Sequence, residues 1–327
     1  MEKKKKVIIA VLLLIAVVPI IIIFIVPYII PLKITGKTVP YMYRLNGKYA
    51  EIVEYIGEEE EVIVPKKLMG HVVAKIATGF DDYGSHDDGF WENKAVKKIT
   101  IPNTVTEIGR GAFMQCINLK DICLPENLKV IEGNMFSYCQ SLTSIEIPEQ
   151  VERIERHAFK GCLSLSDINI SNNIKYIGSF AFGWCESLEE VTIPKSVQRI
   201  EGDAFSGTPW LESQKDKFVI AGAGNLIKYN GEDKVVNVPE DVRYIGSSLF
   251  FENDTIEKVN IPQSVTALGY EIFLECHNLK CVVLENDEIV LDDFLADCEN
   301  VTIISREGST GQKYAQENNI PWQELEE

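Results

Sequence analysis

The sequence predicts an α/β repeat solenoid, built from 23-residue coils with stacked short parallel strands, short helical turns and β-hairpin insertions. Three observations predict it. Isoleucine-proline pairs recur every 23 residues, apolar residues alternate just before each pair, and a phenylalanine and a cysteine return at fixed offsets after it. IPNTVTEIGRGAFMQC begins at 101, LPENLKVIEGNMFSYC at 124, IPEQVERIERHAFKGC at 147, ISNNIKYIGSFAFGWC at 170 and IPKSVQRIEGDAFSGT at 193. After a longer gap VPEDVRYIGSSLFFEN at 238 and IPQSVTALGYEIFLEC at 261 resume the period, and LENDEIVLDDF at 284 is a shortened last copy.

Self-similarity at a period of 20–29 residues is the signature of the leucine-rich-repeat type of solenoid. Within the coil that contains LTSIEIP, Leu142, Ile145 and Ile147 are expected to face inward, with Thr143, Ser144 and Glu146 left to water. Ile145 and Ile147 alternate as a short strand does, and Pro148 ends it because proline has no N–H for the ladder. Val151 and Ile154 form a second apolar pair, followed in other coils by Gly109, Gly178, Gly246 and Gly269, which suit a tight turn. Ala158 and Phe159 are then expected on a short helical turn that closes the coil. Stacked coils lie about 4.7–4.9 Å apart, so Phe113, Phe136, Phe159, Phe182 and Phe205 should form a column that Phe250 and Phe273 continue. No single coil can cover its own apolar face, which makes the stack the folding unit.

Glu155, His157 and Cys162 lie within eight positions and have the composition of a thiol active site. The repeat argues for a structural role instead. Cys116, Cys139, Cys162 and Cys185 share one register, three residues after the phenylalanine; Thr208 and Asn253 take that slot later and Cys276 returns to it. A nucleophile is not installed in five coils, whereas a small inward residue is, and free cysteine packs as a small hydrophobe. The slot of His157 holds Gly111, Asn134, Phe180 and Asp203 in other coils, so no fixed chemistry attaches to it.

The ends and the interruption read separately. Residues 1–6, MEKKKK, form a cytoplasmic tail, and residues 7–30 run without a charge. As a helix those 24 residues measure about 36 Å, enough to cross a hydrocarbon core of about 30 Å. The lysines before the segment place the N-terminus in the cytoplasm, and the absence of a small-x-small cleavage site after Ile30 favours an uncleaved anchor over a signal peptide. Residues 31–63 are read as a linker and N-terminal hairpin cap, with a turn at Asn46-Gly47. Repeat coils follow over 64–205, a hairpin insertion over 206–237 that should stand off the stack edge, coils again over 238–300, and a C-terminal cap over 301–327.

The copies starting at Ile101, Ile193 and Ile261, with the entry stretch YMYRLNGKYAEIVEYIGEEEEVIVPKKLMGHVVAKI, the interruption TPWLESQKDKFVIAGAGNLIKYNGEDKVVNVP and the ending EGSTGQKYAQENNIPWQEL, resemble the BspA-type leucine-rich repeats of bacterial surface proteins. The resemblance covers about residues 40–325. It implies an elongated, curved solenoid displayed outside the cell, and non-catalytic binding or adhesion toward a protein or glycan ligand. Ser171 in place of the proline and the short last coil depart from the pattern.

The first six residues carry +3 of an overall −17, so the remainder carries −20. Such a surface disfavours nucleic acid and anionic lipid as ligands. No G-x-S-x-G, H-E-x-x-H, P-loop or C-x-x-C occurs, and no cofactor is expected; the GAGN at 222–225 is read as a turn, since no helix follows it. FDDYGSHDDGFW gathers Asp81, Asp82, His86, Asp87 and Asp88, candidate metal ligands whose spacing matches no known calcium loop. On the strand side, residues one and three places before the isoleucine of each I-P pair should point outward. They place Asp121, Glu146, Asp167 and Glu190 on one strip, a candidate binding face for a basic protein segment. The function expected is a membrane-anchored extracellular binding or adhesion protein, the alternative a cell-envelope scaffold or accessory subunit of a membrane complex attached through residues 7–30.

Overall fold

The computed structural model describes the backbone of residues 33–34 and 37–38, and residues 40–76, 89–295, 298 and 301–326. The anchor expected over 7–30 and the loop of candidate metal ligands at 81–88 lie outside them. The chain is a β-solenoid of about 11 turns with coils of about 23 residues and stacked parallel strands. Each regular coil has three stacked segments. The first joins strands such as Lys98–Thr100 and Asp121–Cys123 in parallel register, Lys98 opposite Asp121 and Thr100 opposite Cys123. Ser144–Ile145 pairs with Asp167–Ile168 in the same way. The second joins Val130–Ile131, Arg153–Ile154, Tyr176–Ile177 and Arg199–Ile200. Register offsets of one full coil carry isoleucine onto isoleucine, so every inward position repeats its neighbour's chemistry.

The third segment was expected as a short helical turn and is instead a run of β-turns. Cys162 N–H donates to the Phe159 carbonyl three residues back, and His157 and Gly161 take positive φ, which a helix cannot accommodate. Its backbone also bonds across coils: the amides of Phe113, Phe136, Phe159 and Phe182 donate to the carbonyls of Met135, Ala158, Ala181 and Ala204. The phenylalanine column is present in two stretches, Phe113 to Phe205 and Phe250 to Phe273, which the interruption separates, Trp210 packing on Phe205 and Tyr229 on Phe250. Successive centroids from Phe113 to Phe205 lie 5.4, 5.3, 5.3 and 5.1 Å apart with nearly parallel planes, and all five rings are buried. The column is longer than the repeat copies suggest. Phe90 precedes it, Tyr55 and Tyr41 cover its start, and Phe294 and Tyr314 extend it from Phe273 to the C-terminal cap.

The cysteines are buried and unpaired at 116, 139, 162, 185 and 276. Each has a further role that the sequence alone leaves hidden. The Cys139, Cys162 and Cys185 thiols donate to the Phe113, Phe136 and Phe159 carbonyls one coil back, at 3.1–3.2 Å. Cys116 and Cys276 do the same toward Phe90 and Phe250 at 2.9 Å. A carbonyl has two lone pairs; the Phe136 oxygen spends one on Cys139 N–H and the other on the Cys162 thiol. Where no regular coil precedes, asparagine fills the slot: Asn93 and Asn253 accept from amides two and three residues ahead in their own coil.

The hairpin at the entry and the strands at the exit lie at the two ends of the stack. Tyr41–Asn46 and Tyr49–Tyr55 form the predicted hairpin. The final strands Thr302–Ser305 and Trp322–Glu324 extend the first ladder, and between them helix α2 (Thr310–Glu317) is capped by Ser309, which accepts from Gln312 N–H. The hairpin Phe218–Ala221/Asn225–Tyr229 does not stand off the edge: its second strand pairs in parallel with Tyr244–Ile245 and so belongs to the second ladder. Toward the earlier coils the junction is made by a side chain. Asn225, fully buried, accepts from Ile200 N–H at 3.0 Å and donates to the Val197 carbonyl at 3.2 Å. The first ladder lapses here; residues 188–195 carry no strand, and helix α1 (Pro209–Ser213), capped by Thr208, lies against Leu188 through the Trp210 amide.

At the third corner the coils starting at 193 and 238 touch directly. A Cβ on Gly202 or Gly246 would strike the backbone of the other coil. Buried Glu201 fastens the contact, taking Arg199 Nε at 2.8 Å, Tyr244 Oη at 2.8 Å and Ser247 Oγ at 3.0 Å. Its neighbour Asp203 is placed less favourably: burial, with Glu201 and Glu271 adding, pushes its carboxyl up to about 6. The folded state therefore holds this proton more tightly than the unfolded chain, whose aspartate titrates near about 3.9, and stability falls as pH rises from about 4 to about 6. The Asp203→Asn variant should melt roughly 2–4 °C above the parent at pH 7.5, the difference vanishing near pH 4; circular dichroism melts at the two pH values check this.

Candidate functional site

On the first-ladder face, strands present side chains to water in columns one coil apart. Asp121, Ser144 and Asp167 stand in one column, and Thr100, Cys123, Glu146 and Asn169 in the next. The alternation demanded by the strand decides this: Ile122, Ile145 and Ile168 turn inward and are buried, so their neighbours must turn outward. Between the columns lies a groove of about 810 Å³ whose lining includes Asp121, Glu126, Glu146, Glu149 and Asp167 and no lysine or arginine. Asp121 has one cationic partner at the groove's edge, Lys98 Nζ at 2.7 Å. Glu149 accepts weakly from Asn173 Nδ2 at 3.3 Å.

Three of the four strip residues predicted from the sequence thus come together. Glu190 does not join them. Its coil forms no strand at 188–195, because the interruption that follows offers no ladder partner there, and it lines a separate hollow of about 480 Å³ with Ser166, Glu186, Ser187 and Glu189. Glu126 and Glu149 were missed. Their signal was present, since both directly follow the proline that ends the strand, but the strand pattern alone says nothing about where the chain turns next. The candidate metal ligands Asp81, Asp82, His86, Asp87 and Asp88 lie outside the described residues; among the described ones no group of three or more metal-binding side chains occurs.

The thiol-site composition at 155–162 resolves into separate places. Cys162 is fully buried and its pKa is driven well above the ordinary thiol range by burial. Glu155 is held by Arg153 Nε at 2.7 Å. His157 faces the Phe180 ring on the outside of the coil; burial, with Lys160, Arg156 and Arg110 nearby, lowers its pKa to about 4, so it is neutral at physiological pH. Nothing aligns the three groups for nucleophilic chemistry, which needs a base within about 3.2 Å of the nucleophile.

Cys123 is exposed in the groove and Cys281 half-exposed in the C-terminal coils, opposite Lys258 and in the register of Asp121, whereas burial raises Cys116 and Cys185 to about 12 and Cys276 to about 11. Iodoacetamide on native protein at pH 8, followed by peptide mass mapping, should modify Cys123 first and Cys281 next. Modification of Cys139 or Cys162 on the same time scale would contradict the packing described.

Comparison with known proteins completes the picture. A family model described as the BspA type leucine-rich repeat region matches residues 86–212 and 229–316, in six copies. Among solved structures the chain is similar to a leucine-rich cell surface protein from Faecalibacterium prausnitzii, at 23% identity, covering 90% of this chain and 96% of that one, with a TM-score of 0.48. It is also similar to a leucine-rich repeat protein from Bacteroides ovatus, at 25% identity, 81% and 69% coverage and a TM-score of 0.47. A third is the T. pallidum leucine-rich repeat protein, at 22% identity, 73% and 88% coverage and a TM-score of 0.44. No curated protein sequence matches.

Proposed function

This chain belongs to the BspA-type leucine-rich repeat family, and from that premise we propose that it is a non-catalytic binding protein of the cell surface, anchored through residues 7–30, which holds a basic segment of another protein across its first-ladder face. The observation that carries this reading is the groove with five lining carboxylates and no lysine or arginine. Carboxylates set one coil apart repel one another, and a lysine- or arginine-rich segment relieves that repulsion. An extended peptide also matches the columns in kind, because both repeat their side chains along a line. The apolar run 7–30 behind four lysines supports the membrane attachment, with the repeats on the outer side.

Binding of this kind depends on salt, since exposed charges are screened beyond about 8–10 Å at physiological ionic strength. Full-length protein in detergent, titrated with a fluorescent lysine- and arginine-rich peptide, should bind it with an affinity that falls steadily as sodium chloride rises. Replacing Asp121, Glu146, Glu149 and Asp167 together by Asn and Gln should weaken binding by about 10-fold or more and flatten the salt dependence, as expected from the loss of roughly 0.2–1 kcal/mol per exposed ion pair. An unchanged affinity and slope would remove the groove from consideration.

A further inference from the structure

The turn edge of the coils carries a second concentration of chemistry, of opposite character. Two positions in most coils there hold left-handed backbone, and they are mainly filled with small or polar residues: Gly111, Asn134, Ser248 and Glu271 at one, Gln115, Gly161, Gly207, Glu252 and Glu275 at the other. Between 138 and 184 the same positions carry Tyr138, His157, Phe180 and Trp184, at φ of 61°, 61°, 51° and 56°. Bulky side chains are outliers in that region of backbone space, and such outliers cluster where a surface has a task. Tyr138 is 38% and Trp184 43% exposed, and the phenylalanine column already fills the interior.

The rings are also prepared. Tyr138 lies over Gly161, where a Cβ would come within 2.6 Å of it, and Trp184 lies over Gly207, where a Cβ would come within 2.8 Å. Glycine in every second coil thus leaves room for the ring of the coil before. Phe180 stacks on Trp184 at 5.2 Å with planes 4° apart. Lys160 Nζ sits 4.7 Å from the Trp184 centroid and 5.4 Å from that of Phe180. Arg156 and Arg110 act on His157 beside Lys160, and Arg110 reaches across the coil boundary over Gly133. Glu132 and Glu155 lie next to the arginines, Glu155 already held by Arg153. In a chain whose outer part is −20, this is a local excess of cations around exposed rings.

We propose that Tyr138, Trp184, Lys160 and Arg156 form a second binding site, for an anionic oligosaccharide whose sugar rings pack against the exposed parts of Tyr138 and Trp184 and whose carboxylate or sulfate groups meet the cations. The two platforms stand two coils apart, about 10 Å, a distance spanned by linked pyranose rings. Tyrosine and tryptophan add a hydroxyl and an indole N–H at the wet edge, the pairing of apolar face and polar tip suited to sugar hydroxyls. Lys160 and Arg156 supply charge that an apolar peptide would not need. The site is on a different edge from the acidic groove and stands independently of the reading given for that groove.

The test uses the full-length protein in detergent and three probes in calorimetric titrations: a heparin-derived oligosaccharide, an uncharged cello-oligosaccharide and poly-L-glutamate. The heparin oligosaccharide should bind most tightly of the three. The double variant Tyr138→Asn/Trp184→Asn should lose about tenfold in affinity for it, while its melting temperature holds or rises, because asparagine tolerates left-handed backbone better than these rings. Tyr138→Phe/Trp184→Phe should keep most of the affinity, which separates a lost platform from a damaged fold. Lys160→Gln/Arg156→Gln should weaken binding and reduce its salt dependence. Three results overturn the proposal: no binding of the heparin oligosaccharide, equal binding of the cello-oligosaccharide, or binding of poly-L-glutamate as tight as that of the heparin oligosaccharide and indifferent to the loss of the rings. The last would assign the edge to acidic peptides.

Discussion

Stacking of one buried phenylalanine on the next sets the geometry on which everything else depends. The rings repeat at 5.1–5.4 Å, close to the strand spacing of about 4.8 Å, so side-chain packing and backbone pairing agree on one rise per coil. Fully burying each ring contributes on the order of 1.5–3 kcal/mol, and none of that is realised until a neighbour is in place. The cysteine thiols tie the same rings into the backbone, each donating to the carbonyl of the phenylalanine one coil back. Cysteine suits the slot because it is small, apolar and still carries a weak donor for a carbonyl whose second lone pair would otherwise go unused. Tyr41 and Tyr55 close the column at one end and Tyr314 at the other, which keeps the terminal phenylalanines out of water.

Because the interior is the same in every coil, difference between coils is confined to three outer edges. On the first-ladder edge the outward positions of consecutive coils gather carboxylates; on the turn edge the left-handed positions of consecutive coils gather rings and cations. A repeated scaffold turns single substitutions into rows, since equal register means adjacency in space. The interruption at 206–237 then limits both rows. It removes the strand at 188–195, which parts Glu190 from the acidic groove, and it brings the coils at 193 and 238 into contact through Glu201, Tyr244 and Ser247.

Much of this was legible before any coordinates, for a definite reason. Inward positions obey a strict period, so Ile145, Phe159 and Cys162 could be placed by counting alone. What counting could not supply was local conformation and side-chain partners. The closing segment resembles a helical turn in its Ala-Phe spacing, yet positive φ at His157 and Gly161 makes it a chain of β-turns. The 218–229 hairpin reads as an appendage, because nothing in its sequence announces that Asn225 will stand in for a backbone rung. In the acidic groove, Asp121, Glu146 and Asp167 followed from strand alternation, whereas Glu126 and Glu149 depend on where the chain goes after its proline. The aromatic edge left a trace that alternation would not reveal, Tyr138-Gly161-Trp184-Gly207 at a single register.

The central claim, that ring stacking along the column makes the coils one cooperative unit, is tested most directly at Phe159, in the middle of the longest regular stretch. Equilibrium urea unfolding of Phe159→Ala, followed by far-ultraviolet circular dichroism and by tryptophan fluorescence together, should show a loss of about 3–5 kcal/mol, the cost of emptying a fully buried aromatic site, with both probes moving in one transition. A loss below about 1 kcal/mol, the range of a surface change, or a transition in which the two probes separate while the remaining coils stay folded, would contradict it.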